Sequence, residues 1–179
     1  VHAVQPASRR VDHLHAVDLG PLEVGDADVH AGVDAVLHGG ADVVNASIGS
    51  DDTLSLGGGI AYADLKLRKT GLDLVLDAGA GDQITFRNWY QTGVNQKSVV
   101  NLQAVADAMA GYNAAGSDRL LNKRVVNFNF AGIVDRFDAA RTANPLLTSF
   151  SVGSALADFY VSGSDTAAIG GVLAYDYGH

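Results

Sequence analysis

From Asp52 to Phe86 the chain reads DTLSLGGGIAYADLKLRKTGLDLVLDAGAGDQITF, short runs of alternating apolar residues with glycine at the interruptions. A period of two puts alternate side chains on opposite faces of an extended strand, whereas a helix would scatter them around its circumference. Leu54 and Leu56 alternate with Thr53 and Ser55, Leu65 and Leu67 alternate with Lys66 and Arg68, and Leu72, Leu74 and Leu76 continue the pattern. Thr70-Gly71 and Ala78 to Asp82 supply turns, after which Ile84 and Phe86 resume ahead of Trp89-Tyr90. Strands of about five residues joined by short glycine-bearing loops predict an antiparallel meander. Leu65, Leu67, Leu72, Leu74, Ile84 and Phe86 are predicted to share its buried face, with Trp89 at its end. Lys66, Arg68, Asp73, Thr85 and Arg87 are predicted to face water. Gly57, Gly58 and Gly59 fall where a roll-like strand, Asp52 to Leu56, must turn into the meander, and glycine suits such a corner because it takes positive φ freely.

The flanks have other textures. Residues 1–38 hold five of the six histidines, are broken by Pro6 and Pro21, and keep neither period. They stand as an unassigned, irregular or strand-like segment. In residues 98–179, Val99, Leu102, Val105, Ala106, Met109 and Tyr112 recur at helical spacing behind Ser98 as an N-cap. VVNFNF, Val125 to Phe130, is a short alternating segment. Ile133, Val134, Phe137 and Ala140 form a second helical stripe that ends before Asn144-Pro145. Val152, Ala155, Leu156, Phe159 and Tyr160 form a third, and Ser164 is placed to cap a fourth from Asp165 to about Tyr175. The expected fold is therefore α+β. A glycine-rich β-roll-like turn and antiparallel β-meander occupy residues 39–97, and a mainly helical C-terminal region occupies residues 98–179.

Composition removes several functions. The net charge of -8 leaves no basic stripe to neutralise phosphates, which argues against nucleic-acid binding. No window approaches 18 uninterrupted apolar residues, so no transmembrane segment is expected. With no cysteine, disulfide scaffolds, thiol catalysis and cysteine-zinc sites are excluded together. The opening VHAVQPASRR lacks the apolar stretch of a cleavable signal peptide and has no initial methionine, which predicts a piece of something longer.

Catalytic constellations are hard to find. NASIG, Asn45 to Gly49, carries asparagine where a nucleophile elbow needs its first glycine, and only His179 follows Ser47. His13 and His15 would share one face of a strand, with His30 or His38 as a third zinc ligand, but scattered loop histidines explain them better. Asp135 and Asp138, beside Arg136 and Arg141, read as a solvated charged helix face. No phosphate-cradling G-x-x-x-x-G-K-[ST] loop occurs.

The remaining candidates are two aspartate-glycine turns. GADVV from Gly40 and GSDDTL from Gly49 each place an aspartate after a glycine and an apolar residue beyond it. In calcium-binding nonapeptide turns, glycines allow the tight bend while aspartate and carbonyl oxygens supply hard ligands. Asp42, Asp51 and Asp52, with backbone carbonyls around Gly40 and Gly49, are thus the candidate metal ligands, for weakly bound calcium. Ordinary turn formation explains the same aspartates equally well.

Gly40 to Tyr90 resembles the haemolysin-type calcium-binding related segment of secreted RTX proteins. The family pattern of D-T-L-x-L-G-G-G-I, Y-x-D-L, a basic strand, D-L-V-L, a G-D-x-I-T turn and N-W-Y/F stands in this order. LLNKRVVNFNFAGIVDRFDAARTANP and ALADFYVSGSDTAAIGGVLAYDYG resemble the C-terminal end of the same proteins, so that the likeness covers about residues 40–178. Tandem G-G-x-G-x-D-x-Φ-x repeats are missing from residues 1–38. The resemblance implies a non-catalytic C-terminal module of a secreted or cell-surface protein, acting in calcium-assisted folding and carrying an uncleaved signal read by type I secretion machinery. Two other readings stay open: a self-associating structural or adhesive module joined through strand edges, and the tail of a lipase, protease or glycosidase whose active site lies upstream.

Overall fold

The computed structural model describes the backbone of residues 41–44 and 52, and residues 53–92, 97 and 99–166 in full. Among them are nine strands and one α-helix. In chain order these are β1 (Ala41–Val44), β2 (Asp52–Leu56), β3 (Lys66–Thr70), β4 (Asp73–Gly79), β5 (Asp82–Phe86), β6 (Val99–Val105), β7 (Val125–Asn129), α1 (Phe130–Ala143), β8 (Phe150–Ser151) and β9 (Tyr160–Ser164). One sheet runs β1-β5-β4-β3-β8 and the other β2-β6-β7-β9. β1 lies parallel to β5 and β2 parallel to β6, while the remaining neighbours are antiparallel.

β3, β4 and β5 follow one another through tight turns. Leu67 sits opposite Leu76, and Leu76 opposite Ile84, all fully buried, which is the packing that one-sided alternation encodes. Leu72, expected on this face, is 51% exposed at the β3–β4 turn. Gly59 takes φ +91 where the triple glycine carries the chain from β2 in one sheet toward β3 in the other. The expected β-roll is corrected: among the described residues parallel pairing is confined to β1–β5 and β2–β6, and no roll is formed.

The mainly helical C-terminal region is also corrected, since α1 is the one α-helix among the described residues. Val99 to Val105 is strand β6. Its apolar residues lost their alternation because both faces are covered: Leu102 and Ala104 join the main core, while Val105 packs with Val125 in a separate cluster. The stripe from Val152 to Tyr160 is a chain of turns, with backbone bonds such as Ala155 N–H to Val152 O and Asp158 N–H to Ala155 O, leading into β9. Tertiary contacts decide this. Val152 N–H donates to Leu65 O at 2.9 Å, and a Cβ on Gly153 would come within 2.9 Å of Tyr62 O, so the segment is held against the meander. Ser164 belongs to β9, and the fourth predicted helix lies beyond the described residues apart from its start.

The helix that does form has the signals for it. The Asn129 side chain accepts from Gly132 N–H at 2.9 Å as an N-cap, satisfying one of the unpaired first-turn donors. Phe130, Ile133, Val134 and Phe137 are buried along one stripe, and Pro145 follows the C-cap Asn144. A single hydrophobic cluster draws on both sheets and α1. At its centre the Phe130 ring lies 5.4 Å from Phe86 and 6.1 Å from Trp89, while Tyr62 meets Phe128 edge-on at 5.7 Å. No helix among the described residues is long and apolar enough to cross a membrane.

Candidate functional site

The predicted calcium turns fall at the margin of the described structure. Asp42 lies in β1, in register with Ile84, and Asp52 begins β2, in register with Val99, so the two belong to different sheets. Their side chains, and Gly40, Gly49 and Asp51 entirely, lie outside the described residues, as do Ser47 and all six histidines. Among the described residues no three His, Asp or Glu side chains are grouped to hold a metal ion. Carboxylate and carbonyl oxygens are the hard donors that calcium takes, so the donor set at these turns fits it chemically.

Several residues of Gly40 to Tyr90 help to build the fold. Tyr62 donates its hydroxyl to Leu120 O at 2.9 Å, tying the short 3-10 turn Tyr62–Asp64 to the loop before β7. Burial, with the Asp118 charge adding to it, pushes the Tyr62 phenol well above its ordinary range, so it stays a donor at neutral pH. Asp73 accepts from Asn88 N–H at 2.8 Å and closes the turn ahead of Trp89. Gly79, at φ +88, sits where a Cβ would come within 2.9 Å of the Asp64 Cβ. Arg68 bonds Asp77 and Gln83 across β3, β4 and β5 on the solvent side of the sheet.

The last residue of the pattern, Tyr90, opens a different kind of place. Its hydroxyl donates to Asp138 on α1 at 2.9 Å, and Arg141 lies 3.8 Å from the same carboxylate oxygen. Lys69, at the far end of β3, sets its ammonium 4.1 Å from the centre of the Tyr90 ring, and Lys97 approaches from the other segment at 5.7 Å. Tyr90, Asp138, Arg141 and Thr142, whose hydroxyl donates to the Asp138 carbonyl, line an open cleft of about 300 Å³, and Lys69 and Lys97 reach its Tyr90 wall through the ring. Burial and then the bond to Asp138 drive the Tyr90 phenol far above its usual value, so it remains protonated at neutral pH.

Sequence reasoning placed Asp138 on a solvated helix face and missed its role here. Tyr90 was visible as the end of the aromatic pair. Its partners come from β3, the segment before β6, and α1, and only the fold brings them together. The described residues of the cleft offer charge and hydrogen bonding: a phenol, a carboxylate, a guanidinium and a hydroxyl. No protein-family model, curated protein or solved structure matches the chain.

Proposed function

We propose that the chain is a non-catalytic C-terminal module of a secreted RTX-type protein, serving in export by type I machinery and in calcium-assisted folding. The observation that carries this reading is the use made of the recurring pattern. Tyr62, Asp73, Trp89 and Gly59 before β3 are engaged in turns, tertiary hydrogen bonds and core rather than in a reaction centre. A set of residues spent on scaffolding suits a module whose task is to fold. The decisive experiment places a reporter upstream of residues 1–179 in a cell with a functional type I channel. The reporter is expected in the medium, and removal of residues 150–179 is expected to retain it inside. Retention of the intact fusion beside normal export of the channel's own substrate would reject the reading.

Calcium enters through Asp42, Asp51 and Asp52 with the carbonyls near Gly40 and Gly49. A site built from two partial turns leaves positions to water, and an affinity of about 10⁻⁴–10⁻³ M is expected, as in extracellular calcium modules. At ~2 mM calcium, mass action then favours the folded state by about 0.6–1.8 kcal/mol. For a chain of this size that raises the melting temperature by ~1–7 °C. Calorimetry with and without chelator should show the increment, and Asp51→Ala with Asp52→Ala should remove it. Superimposable curves would make these aspartates turn residues alone.

A second reading has its own observation. β1 and β2 end their sheets, and no described residue pairs with their outer edges. Such edges are templates for strand addition. A concentration-dependent sedimentation coefficient would favour self-association, and a monomer throughout would remove it.

A further inference from the structure

We propose that the cleft around Tyr90 is a docking site for an acidic polypeptide segment, with Lys69, Lys97 and Arg141 receiving its carboxylates. The chain as a whole holds 20 acidic residues against 12 Lys and Arg, yet here Lys69 and Lys97 both lie against the Tyr90 ring, and Arg141 stands 3.8 Å from Asp138, the carboxylate that accepts from the Tyr90 hydroxyl. Asp138 is already engaged by the Tyr90 hydroxyl and by Arg141. Lys69 and Lys97 form no ion pair with any described residue; they rest instead against aromatic rings, Lys97 also lying 6.0 Å from Trp89. Contacts of that kind at an exposed site are weak and leave the ammonium groups able to accept an anion as well.

The shape selects among anions. The cleft is open, so one small ion would touch it from one side and be screened by salt within about 10 Å. Several carboxylates on one flexible segment engage the three cations together, and each contact after the first is intramolecular. A long, uniformly charged sulfated polymer would extend beyond these three cations over a protein of net charge -8, which repels it. A short peptide with a few Asp or Glu residues meets the positive groups with less of that repulsion, because fewer of its charges lie beyond them.

Trp89 is the chain's sole tryptophan, and its fluorescence reports on the site directly. The full chain is titrated with a glutamate-rich decapeptide, with inorganic phosphate and with heparin, at low salt and at about 0.5 M salt. A saturable fluorescence change with the peptide is expected, weakened by salt. Lys69→Gln with Lys97→Gln should weaken it by about tenfold or more, whereas Lys66→Gln with Arg87→Gln, the same charge change on the water-facing side, should alter it less than about twofold. Should the cleft pair fail to fold, Lys97→Glu alone, at an exposed position, carries the test and is expected to weaken binding. Three results would overturn the proposal: no saturation by ~10 mM peptide, equal weakening by both pairs, or tighter binding of phosphate or heparin than of the peptide.

Discussion

Phe130→Ala is expected to lower stability by about 3–5 kcal/mol, the largest loss from a single truncation in this fold. Phe130 is fully buried at the first turn of α1, directly after its cap Asn129. Its ring touches the end of β5 through Phe86 and the following turn through Trp89, so one side chain joins the five-stranded sheet to the helix leaving the other sheet. The cost of a cavity depends on how far its walls can relax. Here they relax little, because β5 is held in ladders with β1 and β4 on its two sides. The neighbouring Trp89 indole N–H is buried and has no hydrogen-bond partner among the described residues, so the variant should also shift tryptophan emission to the red as water reaches the ring. Urea unfolding gives the magnitude. A loss below about 1 kcal/mol would show that this aromatic group does not join the two sheets.

The same cluster explains which parts of the fold were legible in the sequence. β3, β4 and β5 bury one face and keep the other mostly polar, with Val75 opposite Arg68 as its buried exception, so their period of two survives in the residues. α1 carries its stripe, its asparagine cap and its proline stop within a single stretch. β6 was misread as a helix because its two faces are both covered, and apolar residues at 99, 102, 105 and 106 mimic a 3.6 period. The segment from Val152 to Phe159 was misread because its conformation is imposed from outside, by Leu65 O and by the close approach of Gly153 to Tyr62. The parallel pairing within each sheet left no mark at all: β2, β3 and β4 intervene in the chain between β1 and β5, and the whole meander intervenes between β2 and β6. The cleft shares that difficulty. Lys69, Tyr90, Lys97 and Asp138 each look ordinary along the chain, and their meaning comes from a ring and a carboxylate meeting across long separations.

Leu74→Ala should cost about 2–5 kcal/mol, while Leu72→Ala two residues away should stay within about 0.5 kcal/mol. Alternation alone assigns both leucines to one buried face. The structure separates them: Leu74 is fully buried, opposite Phe86 and Lys69 in the ladder, whereas Leu72 stands 51% exposed where β3 turns into β4. Truncating Leu74 removes contacts with the core and leaves a cavity between paired strands that cannot close without disturbing two ladders. Truncating Leu72 removes a side chain that is half in water already, and the backbone bond from Tyr90 N–H to Leu72 O remains because it needs no side chain. Strand phase is therefore read by the difference between the two variants, which cancels errors common to both denaturation curves. Similar losses from both would mean that the turn begins later than Thr70 and that Leu72 belongs to the buried face after all. A loss at Leu74 below about 0.5 kcal/mol would place the meander's core on its other side.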